Sequence, residues 1–231
     1  MTEGTAKFFL LQVNDALFPI GGYSHSYGWK LISRRELFMM RTVQKNLSTS
    51  GSNIIFLYNE FLAVRLGWEY AVSGDLTAIS RLEEIMEAGK IPRETREASR
   101  KLGSRFIKTL SALEIPRENR VFEEYREARK GKSVHHAVAY GVFCGAAGIT
   151  REEALEHFLY AQTSAMVTNC VKTIPLSQSS GQKLLSGCYP LLQKLTREVK
   201  ELGEEWLGLS GPGFDLRCMQ HEGLYSRIYM S

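Results

Sequence analysis

The chain has 231 residues, 44% of them hydrophobic, so it can bury one sizeable core without a disulfide or metal to hold it. Its 29 basic and 25 acidic side chains alternate along the sequence and leave a formal net charge of +4, a pattern typical of solvated helix surfaces. Nucleic-acid binding would need the cations clustered on one face, so the charge pattern argues against that function.

The cysteines and the N-terminus indicate a reducing compartment. Cysteine occurs only at Cys144, Cys170, Cys188 and Cys218, which are widely spaced in apolar stretches without a C-x-x-C pair. This spacing argues against a zinc site or a secreted disulfide framework. The run FFLL near the N-terminus is too short for a signal peptide or a membrane span. We therefore expect a cytoplasmic protein without membrane association.

Apolar residues recur at helical spacing from the first third of the chain onward. The stretch 42–72 predicts two helices, or one helix interrupted at the segment STSGSN. Asp75 is placed to cap the next helix, and Gly89 stands where that helix should end. Another amphipathic helix is predicted after Pro92.

The middle of the chain predicts two further helices. Pro116 suits the first turn of a helix that ends near Gly131. Ser133 is expected to cap the following segment, VHHAVAYGVFCGAAG, which looks central to the fold. Its small residues, among them Gly141 and Gly145, should let neighbouring helices approach closely.

The C-terminal third begins with the strongest local start signal. A T-x-x-E capping box at Thr150–Glu153 predicts a helix that runs to a break at Pro175. Beyond it, Ser180 is expected to start a helix that Pro190 interrupts or kinks and that Gly203 ends.

Two segments do not read as core helix. Both 17–28 and 209–215 are rich in glycine, proline, aromatic and small polar residues, so we expect loops that hold partner proteins. Strand-like runs such as FFLLQV have no partner hairpin, which disfavours a sheet. The prediction is one all-α domain over 1–231, a bundle of about eight to ten helices. It has a loop-rich N-terminal segment and a C-terminal tail, 209–231, that a partner would order.

Local motifs for chemistry are incomplete. The GKS at Gly131–Ser133 lacks the glycine of a phosphate-binding loop, since Arg126 stands at that position and no strand precedes it. His135 and His136 would point about 100° apart on a helix, so they cannot chelate one ion, and we expect one buried and one exposed. His221 lacks the second histidine of a zincin helix.

Two chemical alternatives stay open on the residues alone. Ser24, His221 and Asp215 could form a hydrolytic triad, although the pattern around Ser24 is G-x-S-x-S instead of the G-x-S-x-G elbow. A metal contact through His25, His221 or Cys218 is the second alternative, although no ligand cluster is visible.

The last residues of the chain form a possible helical face. Leu224, Tyr225, Ile228 and Tyr229 recur at helical spacing, with Arg227 beside them. Tyrosine and arginine are frequent anchors of protein interfaces. Spacing alone leaves open whether this face docks on the protein's own core or on a partner.

Five segments spread over nearly the whole chain carry family signatures. They are LLQVNDALFPIGGYSHSYG at Leu10–Gly28, REASRKLGSRFI at Arg96–Ile107, HHAVAYG at His135–Gly141, IPLSQSSGQKLL at Ile174–Leu185 and MQHEGLYSRIYMS at Met219–Ser231. In this order they resemble the urease accessory protein F family, UreF. The P-I-G-G-[FY]-S-x-S-x-G and H-E-x-L-x-S-R signatures at the two ends make the combination specific.

The resemblance implies an all-helical, homodimeric chaperone with no catalytic residue, metal site or cofactor of its own. Its partners would be a UreD/UreH-type protein, apo-urease and a UreG-type GTPase that it recruits and regulates, with nickel and GTP handled by the partners. In the family, residues matching Tyr23 and Arg227 are implicated in recruiting the GTPase. The predicted partner-binding residues are Pro19, Gly21, Gly22, Tyr23, Ser24, His25, Ser26, Gln178, Gln182, His221, Glu222, Leu224, Tyr225, Ser226 and Arg227.

The sequence departs from the family pattern at three positions. Lys172 and Ser177 stand where the family commonly has arginine and glycine, and Lys30 replaces an acidic residue. Lysine keeps the charge of arginine but loses its planar fork, so a contact there would change geometry. We hypothesise that the two terminal segments form one composite surface. The alternatives are a metallochaperone that binds nickel directly and a serine-dependent hydrolase.

Overall fold

The computed structural model describes residues 3–20, 56–113, 115, 117–173, 177–209 and 211–222. These residues contain no strand, so the all-α prediction is confirmed. None of their helices is long and apolar enough to cross a membrane. The α-helices are α1 Glu3–Asn14, α2 Leu62–Ser73, α3 Leu76–Gly89, α4 Arg93–Ala112, α5 Val121–Ala128, α6 His136–Ala146, α7 Arg151–Thr173, α8 Gln178–Gly187, α9 Tyr189–Glu201 and α10 Pro212–Glu222. A π-helical turn, Leu57–Phe61, leads directly into α2, and Glu204–Trp206 forms a short 3-10 turn.

Helix α6 lies at the centre of the fold, and every one of its residues is buried. It packs against α2 and α4 and also contacts α3, α5 and α7. The predicted role of its small residues is confirmed. Gly141 faces the backbone of Val64, and a Cβ at Gly145 would lie 2.8 Å from the carbonyl oxygen of Trp68. Because Gly141 and Gly145 have no side chain, α2 and α6 can pack closely.

The strongest predicted caps are present. Asp75 accepts a hydrogen bond from the amide of Ala78 at 2.8 Å, and α3 ends at Gly89 as predicted. At the start of α7, the hydroxyl of Thr150 accepts from the amide of Glu153 at 3.3 Å and donates to its carboxylate at 2.7 Å. The two bonds from backbone amides satisfy donors at a helix N-terminus with a partner within one turn, which is why sequence alone could find them.

Two predicted starts were wrong. Helix α5 begins at Val121, later than Pro116 suggested, because the side chain of Asn119 accepts from the amide of Val121 at 3.0 Å. Ser133 does not cap α6. Its carbonyl oxygen accepts instead from the guanidinium of Arg129 at 3.1 Å, and α6 starts at His136.

The C-terminal third agrees with prediction in part. The cap of α8 is Ser177, which accepts from the amide of Ser180 at 3.1 Å, so Ser180 lies inside the helix. The predicted interruption near Pro190 is confirmed, because α8 ends at Gly187 and α9 begins at Tyr189, with Pro190 in its first turn, where proline fits. The expected loop 209–215 contains the start of α10, at Pro212. Of the stretch 42–72, the part before residue 56 lies outside the described residues.

The expectation that one of His135 and His136 would be exposed was wrong, because both are buried. The two side chains point about 100° apart around the helix axis, but neither reaches solvent, since α6 is covered on all sides. The ring of His136 packs edge-on against Phe106, with centroids 5.2 Å apart, and also contacts Tyr140 and Phe158. Burial lowers the pKa of His136 to about 4, so its ring is neutral near pH 7.

Candidate partner-binding surface

The described part of the chain contains five of the predicted partner-binding residues. Pro19, Gln178 and Gln182 are exposed, Glu222 is half-buried, and His221 lies in the last turn of α10. The other predicted residues lie outside the described residues. They are Gly21, Gly22, Tyr23, Ser24, His25, Ser26, Leu224, Tyr225, Ser226 and Arg227.

The entrance to the N-terminal loop is fixed on the middle of α4. The buried ring of Phe18 meets Phe106 edge-to-face, with centroids 6.0 Å apart. The guanidinium of Arg105 donates to the carbonyl oxygen of Ile20 at 3.4 Å. Pro19, between these two anchored residues, is left exposed. The first predicted partner-binding residue therefore leaves the body at a defined place.

Helix α10 docks at the other end of α4. Glu222 forms an ion pair with Arg93, with the carboxylate oxygen and the guanidinium nitrogen 3.4 Å apart. One turn earlier, Cys218 is buried against α4, close to Thr95. Burial raises the pKa of the Cys218 thiol to about 11, so this thiol stays protonated and acts as a packing group.

The structure brings two of the predicted residues to one helix and places two elsewhere. Pro19 and Glu222 flank α4 near Arg105 and Arg93, which lie about 18 Å apart along the helix axis at 1.5 Å per residue. Gln178 and Gln182 lie on α8, which packs against α7 and α9. The predicted residues therefore occupy at least two faces of the described bundle.

A buried polar cluster holds α4 against the centre of the molecule. The ring of His135 lies 3.1 Å from the hydroxyl of Ser99 on α4 and 3.0 Å from the carboxylate of Glu87 on α3. The same carboxylate accepts from Arg100 on α4 at 2.8 Å. Glu83 accepts from the amide of His135 at 2.9 Å. These bonds connect α3, α4 and α6 and fix the platform that carries both terminal segments.

The electrostatics of this cluster follow from burial. Burial, assisted by the nearby cations of Lys90 and Arg100, lowers the pKa of His135 to about 3. The neutral ring then donates to Glu87 through Nε2 and accepts from Ser99 through Nδ1. Burial also raises the pKa of Glu83 to about 7, although its hydrogen bonds with Tyr125 and His135 oppose the rise. These buried groups are engaged with one another, so they serve the fold.

Sequence reasoning missed several exposed apolar side chains on α10 and near it. They lie in the α3–α4 turn, along the segment that leads into α10 and on α10 itself: Ile91, Trp206, Leu209, Leu216 and Met219. The exposure of Leu216 and Met219 was missed because 209–215 reads as a loop, and only the helix starting at Pro212 shows which side chains face outward.

The chemical alternatives gain no support from the described residues. Among them no group of His, Cys, Asp and Glu side chains is arranged to hold a metal ion. Cys218, one of the proposed nickel ligands, is buried with a raised pKa. His25 and Ser24, needed by the carrier and the triad, lie outside the described residues, and Asp215 is half-buried on α10.

Comparison with known proteins agrees with this architecture. The sequence model of the UreF family matches residues 53–189. The urease accessory protein UreF of Bacillus sp. (strain TB-90) is 30% identical over 224 residues, covering 96% of this chain and 97% of that protein. The protein of the same name from Haemophilus influenzae (strain PittEE) is 32% identical over 225 residues, covering 96% and 94%.

Together with the all-α fold, these matches define the class: a helical urease accessory protein. More closely, the chain belongs to the UreF family. The family match covers α2 to α8, which include the platform helix α4.

Proposed function

We propose that this protein is a scaffold in urease maturation that acts through contacts and carries out no catalysis. It binds a UreD/UreH-type accessory protein and recruits and regulates a UreG-type GTPase at apo-urease. Nickel incorporation then depends on GTP hydrolysis by that partner, so nickel and GTP are handled outside this chain. The chain works as a single-domain homodimer in the cytoplasm.

The observation that carries this proposal is that α4 anchors both terminal segments. The residues of α4 that hold the loop near Pro19 and the tail at Glu222, Arg105 and Arg93, lie about 18 Å apart along the helix axis. The nine residues 223–231 can span roughly 30 Å when extended, which is more than this axial separation. This spacing supports one composite surface with Tyr23 at one end and Arg227 at the other.

The order of assembly follows from the free energy of ordering. A segment that becomes ordered on binding bears that entropic cost at the moment of binding. The free energy of binding the UreD/UreH-type protein to the tail offsets this entropic cost, and binding completes the surface that the GTPase recognises. Recruitment of the GTPase is therefore conditional on the first partner. The glutamines on α8 form a second contact face on the same scaffold.

Arg227→Ala tests this proposal in a co-purification with the UreD/UreH-type protein, the UreG-type GTPase and apo-urease. We expect loss of the GTPase from the complex with the UreD/UreH-type protein retained, together with loss of urease activation. Arg197→Ala, on the exposed side of α9, is the matched control and should recruit the GTPase normally. Unchanged recruitment by Arg227→Ala would overturn the proposed role of the tail.

A further inference from the structure

The C-terminal end of α1 is tied to the central helix α6 by one side chain. Asn14, the last residue of α1, donates from its amide to the carbonyl oxygen of Leu10 at 2.8 Å and to the hydroxyl of Tyr140 at 2.7 Å. Tyr140 is buried in α6, and a buried tyrosine hydroxyl needs a hydrogen-bond partner. Burial holds the pKa of this hydroxyl well above its usual value, so it stays protonated. The bond therefore joins two neutral groups across the fold.

A closed turn follows α1 and ends in contacts with α4. The carboxylate of Asp15 accepts from the amide of Leu17 at 2.7 Å, and the carbonyl oxygen of Asp15 accepts from the amide of Phe18 at 3.0 Å. An aspartate side chain that binds the backbone two residues on restricts the path of a turn. Phe18 and Ile20 then contact α4. The segment 14–20 is thus held on α6 at its start and on α4 at its end.

The two attachments meet at the ring of Phe106 on α4. Its centroid lies 6.0 Å from that of Phe18 and 6.0 Å from that of Tyr140. Helix α1 itself packs against α7, so the Asn14 side chain adds a link to α6. Because a packed core leaves few alternative positions for an aromatic ring, Tyr140 offers its hydroxyl at a fixed place.

We infer that Tyr140 is a positioning residue for the N-terminal loop and that it acts through Asn14. The hydrogen bond fixes where α1 ends, and the closed turn then brings the chain to Pro19 at a set place beside α4. Tyr140 is buried, so it contacts no partner itself and determines only where the loop begins. This inference rests on the proposed function, in which the loop that contains Tyr23 contributes to recruiting the GTPase.

The size of the expected effect follows from the population of correctly placed loops. Without the bond, the segment 14–20 leaves its place in a fraction of the molecules, and the apparent affinity for the GTPase falls accordingly. Loss of one hydrogen bond of this kind raises the dissociation constant by up to about fivefold. Binding of the UreD/UreH-type protein should not change, since the proposed function assigns that contact to the tail.

The test compares Tyr140→Phe, Asn14→Ala and the double variant in the full chain. Tyr140→Phe keeps the ring and removes only the hydroxyl. Hydrogen exchange at the amides of Phe18 and Ile20 should become faster in all three variants. The dissociation constant of the GTPase from the complex with the UreD/UreH-type protein and apo-urease should rise up to about fivefold in each. The double variant should be no weaker than the single variants, because both changes remove the same bond.

Thr196→Val is the matched control for the loss of a buried hydroxyl. Thr196 is buried on α9, and its hydroxyl donates to the carbonyl oxygen of Leu192 in the same helix at 3.0 Å. This variant should leave both the exchange at Phe18 and Ile20 and the affinity for the GTPase unchanged. An equal loss of affinity in Thr196→Val would mean that general destabilisation explains the effect, and it would overturn the positioning role.

The remaining outcomes separate this inference from the proposed function. A wild-type complex that does not recruit the GTPase contradicts the proposed function itself. Faster exchange with unchanged affinity for the GTPase overturns the positioning role of Tyr140, and so does an equal loss of affinity for the UreD/UreH-type protein. Effects of the single variants that multiply in the double variant show that Tyr140 does not act through Asn14. If Tyr140→Phe fails to fold, both measurements on Asn14→Ala decide the question.

Discussion

Glu83 is a carboxylic acid enclosed in the middle of the helix bundle, with no exposed surface. It accepts from the hydroxyl of Tyr125 and the amide of His135, and Arg129 is the cation close to it. These interactions favour the charged form, but burial outweighs them and raises the pKa from 4.5 to about 7. The folded state therefore binds the Glu83 proton more tightly than the unfolded state does. Its contribution to stability falls as the pH rises from about 4.5 to about 7.

Glu83→Gln removes this titration while keeping one acceptor and one donor. We expect the free energy of unfolding of the variant, relative to the wild type, to increase between pH 5 and pH 8 by up to about 3 kcal/mol. Urea unfolding at both pH values measures it. His135 and His136 lose stabilising effect as the pH falls, since burial lowers the pKa of each, but they are present in both proteins and cancel in the difference.

Glu84→Gln supplies the control for this experiment, because Glu84 is the exposed neighbour of Glu83 on α3. Its effect on unfolding should be the same at both pH values. A wild-type minus Glu83→Gln difference that does not change with pH would show that Glu83 is ionised throughout the range in the folded protein.

At the scale of helices, sequence predicted what is local and missed what is tertiary. The caps at Asp75 and Thr150 were found because their partners lie within one turn. The start of α6 was misplaced because Arg129 binds the Ser133 carbonyl and the chain must reach the buried His135 first. The start of α10 at Pro212 looked like a loop. Proline and glycine mark both helix starts and turns, and only packing on α4 distinguishes them.

The contact of α2 with α6 gives the clearest prediction about an element. A Cβ at Gly141 would overlap the carbonyl oxygen of Val64 and lie 3.0 Å from the amide nitrogen of Trp68. Both obstacles are backbone, so the helices must move apart. We expect Gly141→Ala to destabilise the protein by about 3 kcal/mol, measured by urea unfolding.

Two other glycines calibrate that result. Gly67→Ala should cost less, because its Cβ would lie 3.1 Å from the nearest atom, the Val138 carbonyl oxygen. Gly213→Ala, in the first turn of α10, has nothing within 4 Å of the added Cβ and should be neutral or slightly stabilising. Equal effects at Gly141 and Gly213 would show that α2 and α6 are not closely packed in solution.

At the scale of the whole molecule, the candidate surface could be predicted only in part. Composition marked the two terminal segments, and the family resemblance named their partners. Their common attachment to α4 could not be read from the sequence, because Ile20 and Glu222 are about two hundred residues apart and meet this helix only through tertiary packing. The exposed apolar side chains of α10, Leu216 and Met219, were equally hidden, since their exposure depends on how α10 docks.

A shared platform predicts that the anchors of the two segments act together. Arg93 pairs with Glu222 and Arg105 holds Ile20, but both arginines are largely exposed, so each alanine variant should weaken binding of the GTPase to the preformed complex by only about threefold. Independent sites this far apart have additive free energies, so the double variant would then bind about ninefold more weakly. If the segments form one composite surface, losing either anchor already disrupts it, and the double variant should stay near threefold. Titration with the GTPase of the wild type, the two single variants and the double variant, each in the preformed complex, measures the coupling. A ninefold effect in the double variant would mean that α4 carries two separate binding sites.

The control is Lys108→Ala, which removes an exposed cation on the same helix and should leave binding unchanged.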